Sequence, residues 1–136
     1  MNKIETICII NDDGVYAFIV KKSIIKLSIC NQVTTFINGE DAINSIKNNL
    51  NNLNNLNDLP DIILLDINMP VMDGWEFLNE FEALNIEKKI AIYLISAHIS
   101  EEDNLKANNN VLISGVLEDP TETDTLLRIT GNVLAE

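Results

Sequence analysis

Aliphatic residues fall in five short runs along the chain: Thr6–Ile10 (TICII), Val33–Phe36 (VTTF), Asp61–Leu65 (DIILL), Ile90–Ile95 (IAIYLI) and Ile113–Leu117 (ISGVL). Each run is short and rich in β-formers, which predicts a strand, and each precedes a stretch of helical character. In the first such stretch Tyr16, Val20, Ile24 and Leu27 recur at helical spacing, with Lys22 and Lys26 on the other side. Phe77, Phe81 and Leu84 repeat the stripe in the third helix, and Leu126, Ile129 and Val133 in the fifth. Each helix thus has one face to bury. Three of the strands are continuous in Ile, Leu and Val instead of alternating, the pattern of a parallel sheet covered on both faces. The expectation is an α/β chain with a doubly wound five-stranded parallel sheet and helices on both faces.

The low-complexity segment Asn51–Pro60 (NNLNNLNDLP) interrupts this alternation. Asn competes with helical hydrogen bonding, so a frayed helix end and a long loop are expected there. With 136 residues the chain is of single-domain length, and it contains no apolar run of membrane-spanning length. Nor does its start read as a signal peptide, which leaves a cytoplasmic location as the expectation. The net charge of −12 argues against nucleic acid as a partner. Cys8 and Cys30 form neither a disulfide framework nor a zinc motif and read as packing thiols.

Candidate chemistry gathers where strands end. In doubly wound sheets ligands bind at the carboxyl ends of the strands, near the point where strand order reverses. Asp66 ends the third strand. Asn11, Asp12 and Asp13 follow the first, and they share the rim with Asp66 if the strand order is 2-1-3-4-5. Any one of these acids alone would read as a loop residue or helix cap. Together they imply more, because like charges about 4 Å apart repel by roughly 4 kcal/mol at an effective dielectric near 20. A proton or a cation must relieve such a cluster, and Mg²⁺ suits an all-oxygen set.

The acidic turn after strand one, the string Asp66-Ile67-Asn68-Met69-Pro70-Val71-Met72-Asp73-Gly74, Ser96-Ala97 after strand four and Asp119-Pro120 after strand five together resemble the receiver domain of bacterial two-component response regulators. The resemblance covers essentially the whole chain and implies a stand-alone, flavodoxin-like receiver with no output domain. It implies that Asp66 accepts a phosphoryl group from a histidine kinase or a His phosphotransfer protein. It further implies that Asp12, Asp66 and the backbone carbonyl of Asn68 hold Mg²⁺, with Asn11 and Asp13 as further candidates through water. Ser96 would hydrogen-bond a phosphoryl oxygen. Met69-Pro70 fixes the turn that aims the Asn68 carbonyl, and Asp73 reads as an N-cap of the third helix.

Three departures from the family pattern stand out. The family carries two acids after strand one. The strand register places them on Asn11-Asp12, which puts an amide in the first position, although the alternative pair Asp12-Asp13 stays open. Asp119 occupies the position where the family has a lysine that pairs with the phosphoryl group, exchanging an attraction for a repulsion unless its side chain turns outward. Val116 stands where an aromatic switch residue is common.

Two functions follow. One is a phosphoacceptor that docks an unknown downstream protein or relays phosphate. The other is a pseudo-receiver that binds a partner independently of phosphorylation. Lys21, Lys22 and Lys26 on the first helix offer a docking patch for the phosphodonor, against the bland reading of a solvated face. His98 has no nucleophile beside it in a recognisable motif and reads as a loop residue.

Overall fold

A computed structural model describes residues 4–51 and 59–136. Strands and helices alternate: β1 (Ile4–Ile10), α1 (Gly14–Leu27), β2 (Cys30–Phe36), α2 (Gly39–Asn51), β3 (Ile62–Asp66), α3 (Gly74–Ala83), β4 (Ala91–Ile95), α4 (Glu101–Asn108), β5 (Ile113–Leu117) and α5 (Thr123–Leu134). All strand pairs are parallel, and the order across the sheet is β2-β1-β3-β4-β5, as expected.

The continuous aliphatic runs are explained by the two cores. Ile63 and Leu65 of β3 point to the side covered by α2 and α3, where Ile43, Ile46, Phe77, Leu78 and Phe81 pack. Ile62 and Leu64 point to the other side, against Ala17, Val20 and Ile24 of α1 and Leu126 and Ile129 of α5. A strand buried on both faces has no position left for a polar side chain.

Several boundaries differ from the sequence reading, each for a physical reason. β2 starts at Cys30, three residues before the expected run, because an edge strand needs backbone partners on one side only and its side chains can stay half-exposed and polar. β3 is shifted by one residue, from Asp61–Leu65 to Ile62–Asp66. Asp61 lies just outside it, where its carboxylate accepts the N–H groups of Glu5 (2.8 Å) and Thr6 (3.2 Å) and pairs with the Lys88 ammonium at 2.9 Å. Lys88 also donates to the Leu59 carbonyl at 2.8 Å, tying the bottom of the sheet together. The expected stripe of α1 is rotated: Ala17, Val20 and Ile24 are buried, while Tyr16 and Leu27 are only partly so. In the low-complexity segment, α2 extends to Asn51, and residues 52–58 lie outside the described residues.

Candidate functional site

The β1 end is shaped by a short network of side-chain caps. Asn11 is 6% exposed, and its amide oxygen accepts the N–H of Asp13 at 2.8 Å, folding the chain back on itself. Asp13 is the N-cap of α1: one carboxylate oxygen accepts from the N–H groups of both Val15 and Tyr16, each at 3.1 Å. The carboxylate of Asp13 is therefore committed to the helix. Asp12, exposed between them, comes within hydrogen-bonding reach of Asp66. Of the two alignments open in the sequence, the geometry favours Asn11-Asp12 as the strand-end pair.

Asp66 is the last residue of β3, in register with Ile95 of β4, and it is half-buried. Burial and the adjoining Asp12 carboxylate push its pKa up to about 6, against the counteracting N–H groups of Ile67 and Asn68. Two carboxyls in such contact at neutral pH need a shared proton or a cation. Among the described residues no group of three or more His, Cys, Asp or Glu side chains is placed to hold a metal. The available donors are two carboxylates, with the Asn68 carbonyl as a candidate third. That set fits Mg²⁺, which keeps several of its waters and takes one or two carboxylates. It does not fit a metal that requires an all-protein cage.

The loop after Asp66 is tightly drawn. Gly74 donates its N–H to the Ile67 carbonyl at 2.7 Å, and a Cβ at position 74 would lie 2.7 Å from the Asp66 carbonyl oxygen. Only glycine lets the start of α3 come this close to the strand end. Between them, Met72 donates its N–H to the Pro70 carbonyl at 2.8 Å, a γ-turn centred on Val71 at φ 70°. A β-branched residue in that region is strained, and strain of this kind gathers at functional loops. Asp73 is the N-cap of α3, as the sequence suggested, and it forms a reciprocal capping box with Glu76.

A cleft of about 270 Å³ opens on the Asp66 side chain, lined by Asn11, Tyr16, Asp66, Asn68, Ser96 and Glu118, with Ile67, Ile95 and Ala97 filling the wall. Ser96 follows β4, held by its N–H to the Leu117 carbonyl at 3.0 Å, and its hydroxyl has no hydrogen-bond partner among the described residues. Asp119 does not line this cleft. Its carboxylate accepts the backbone N–H (2.9 Å) and the hydroxyl of Thr121, which hold its pKa below the usual carboxylate range. His98 is an exposed loop residue.

The structure thus brings Asn11, Asp12, Asp66, Asn68 and Ser96 to one rim and leaves Asp13 and Asp119 facing their own local turns. It adds two residues to the site that the sequence reading did not place there. Glu118 continues past the end of β5 into the cleft wall. By its spacing Tyr16 belongs to the apolar stripe; it lies three residues after the α1 cap, and from that first helical turn it lines the cleft. Burial raises the pKa of its phenol, and the charges of Asp119 and Asp66 raise it further.

The sequence profile of the response regulator receiver domain matches residues 7–130. The chain belongs to that family. As a receiver domain it aligns along 98% of its length with the autoinducer 1 sensor kinase/phosphatase LuxN of Vibrio campbellii and Vibrio harveyi, at 28% identity over 133 residues. The chain spans 14% of the length of those relatives. A two-component response regulator from Cytophaga hutchinsonii superposes with a TM-score of 0.87 at 25% identity, covering 98% of this chain and 99% of the other. A response regulator receiver protein from Dyadobacter fermentans shares the fold with a TM-score of 0.78 at 24% identity, covering 95% and 97%. Among the described residues, no helix of this receiver domain is long and apolar enough to cross a membrane.

A larger groove, about 740 Å³, lies between α3 and α4 against Trp75, Leu105 and Val111. It is separate from the paired carboxylates, so the smaller cleft is the one with chemistry to offer.

Proposed function

We propose that this receiver domain accepts a phosphoryl group on Asp66, in the cytoplasm, from a phosphohistidine of a histidine kinase or a His phosphotransfer protein. A carboxylate oxygen of Asp66 attacks phosphorus, the phosphorus–nitrogen bond of the donor breaks, and the freed imidazole nitrogen recovers a proton from solvent. The product is an acyl phosphate on Asp66. Asp12, Asp66 and the Asn68 carbonyl would hold Mg²⁺, which neutralises charge on the transferred group. The observation that carries this reading is the closeness of Asp12 to Asp66, whose carboxyl lies at a cleft of about 270 Å³ that it shares with Asn68 and Ser96.

The other residues act on the transferred group directly. The unpartnered Ser96 hydroxyl donates to a phosphoryl oxygen from the β4 side, and exposed Ala97 beside it leaves the approach open. The capping box and Gly74 hold the β3–α3 loop so that Asp66 keeps one position as charge changes on it. Asp119, with one carboxylate oxygen accepting both the N–H and the hydroxyl of Thr121, adds less repulsion than an anion aimed into the cleft would. Asn11, an amide in place of an acid, removes one negative charge from the same rim and orients a metal-bound water.

For the donor, α1 presents exposed Val15, Phe18 and Ile19 together with Lys21, Lys22 and Lys26, and Lys22 sits 5.6 Å from the Phe18 ring centroid. An apolar centre with a basic rim on a chain of net charge −12 suits an acidic, partly apolar helical surface. The phosphorylated domain then signals to a downstream protein. A phosphorylation-independent binding module is the second reading, and the observation favouring it is the missing cation at position 119.

Incubation with Mg²⁺ and acetyl phosphate, followed by intact mass spectrometry, separates the two. A phosphate-sized gain that Asp66→Asn abolishes supports the acceptor. Failure of the wild-type chain to gain mass, while it still binds Mg²⁺, supports the binding module.

A further inference from the structure

The cleft at Asp66 is lined by acids and by no cation, so a phosphoryl group on Asp66 would need a neutral donor. With Asp119 held by Thr121, no Lys or Arg lines the cleft. What does line it, on the α1 side opposite Ser96, is Tyr16. Its backbone N–H is bonded to the Asp13 cap, which fixes the first turn of α1 beside the cleft. Its hydroxyl has no hydrogen-bond partner among the described residues. A half-buried phenol is an unusual place to leave a donor idle.

We infer that the Tyr16 hydroxyl takes the place of the absent cation, donating a hydrogen bond to an oxygen of the phosphoryl group on Asp66. This rests on Asp66 being the acceptor. A neutral donor suits this rim better than a second acid would and asks less desolvation than a lysine, and a single hydrogen bond to a charged oxygen is worth a substantial factor in affinity. Burial, and after it the charges of Asp119 and Asp66, raise the phenol, so it stays protonated, hence a donor, throughout the neutral range. Ser96 and Tyr16 then grip the group from its two sides, while Asp12 stays free for the metal.

The test uses beryllofluoride, a stable mimic of the phosphoryl group on a carboxylate, with Mg²⁺ and the full chain. Binding is followed by the fluorine resonances of the bound species. Wild type should bind and Asp66→Asn should not. Tyr16→Phe should weaken binding about tenfold with an unchanged urea midpoint, and the bound fluorine resonances should shift, which a purely structural role would not produce. In an Asp119→Lys background the same substitution should cost less than threefold, because the restored cation takes over the contact. Equal affinity of wild type and Tyr16→Phe would overturn the role of Tyr16 and leave the acceptor standing. Absence of binding to wild type would overturn the acceptor and this inference with it. Should Tyr16→Phe lower the urea midpoint, Asp119→Lys alone decides: affinity unchanged or weaker in that variant refutes a site short of a donor.

Discussion

Asp66 should destabilise the metal-free protein, and replacing it with asparagine should make the fold more stable. Its carboxyl is held at about 6 instead of the ordinary 3.8 by burial and by the Asp12 carboxylate. The native state therefore binds the Asp66 proton more tightly than the unfolded chain does. Stability from this group is complete below pH about 4 and is lost as pH rises through about 6. Taken at face value the difference is about 3 kcal/mol at neutral pH, at roughly 1.4 kcal/mol per tenfold. Solvent reaches half of the side chain, and screening reduces the figure to about 1–1.5 kcal/mol. The Asp66→Asn amide has nearly the same shape, carries no charge, and can donate to Asp12. Urea unfolding in the presence of a chelator, at about pH 7.5 and again at about pH 4, measures the effect. The variant should be more stable by about 1–1.5 kcal/mol at the higher pH and nearly equal to wild type at the lower. Adding Mg²⁺ should stabilise wild type and leave the variant unmoved. A variant no more stable than wild type at neutral pH, or a gain that does not vary with pH, would refute the claim that two carboxylates are crowded together at this rim.

Gly74→Ala places a methyl 2.7 Å from the Asp66 carbonyl oxygen, so either strand end or helix start must move; a loss of about 2 kcal/mol or more in unfolding is expected, together with slower acetyl phosphate labelling. Asp61→Asn removes the partner of Lys88 and weakens the acceptor for two backbone N–H groups, and should cost about 1–3 kcal/mol by urea unfolding at neutral pH. Although burial alone would raise its pKa, Lys88 and the N–H groups of Glu5 and Thr6 bring Asp61 below its ordinary value; its stabilisation is complete above about pH 4 and lost as pH falls through the lowered native value, so the variant should converge on wild type in strong acid. Thr6→Val replaces a hydroxyl that is 1% exposed and has no hydrogen-bond partner among the described residues, and should stabilise the domain by about 1 kcal/mol in the same assay.

The fold was readable because two-sided burial writes continuous aliphatic runs, and β3 and β4 have little else. β2 was readable only in its second half, since an edge strand needs no apolar signature where it faces water. Asp66 and the turn after it could be found because a proline, an aspartate cap and a glycine stand at fixed distances along one strand-to-helix crossing. The orientation of Asp13 and Asp119 could not be found. Both acids are turned by contacts two or three residues downstream, Val15 and Tyr16 in one case and Thr121 in the other, and the same residue types would serve equally well around a metal. Tyr16 escaped for a related reason: helical spacing locates a stripe and says nothing about which end of that stripe overhangs the strand termini.

The effect of the departures at positions 11 and 119 on the charge of the rim shows only in three dimensions. By residue type, an acid–acid–acid–lysine set carries a formal charge of −2, and Asn11, Asp12, Asp66 and Asp119 carry −3. With Asp119 bonded to Thr121 and absent from the cleft lining, its contribution is screened by water and by its donors, and the acids left at the rim are Asp12, Asp66 and Glu118. The local charge stays at −3, because Glu118 enters the wall where Asp119 turns away. What the arrangement does not restore is a positive group to face the phosphoryl oxygens. Neutral donors on the two walls, the Ser96 and Tyr16 hydroxyls, are the chemistry left to meet that need, and neutral hydrogen bonds hold an anion less firmly than an ion pair does. On the proposed chemistry, an acyl phosphate on Asp66 should accordingly be retained more weakly here than in an Asp119→Lys variant, and the decay of the acetyl phosphate mass gain in the two chains measures the difference.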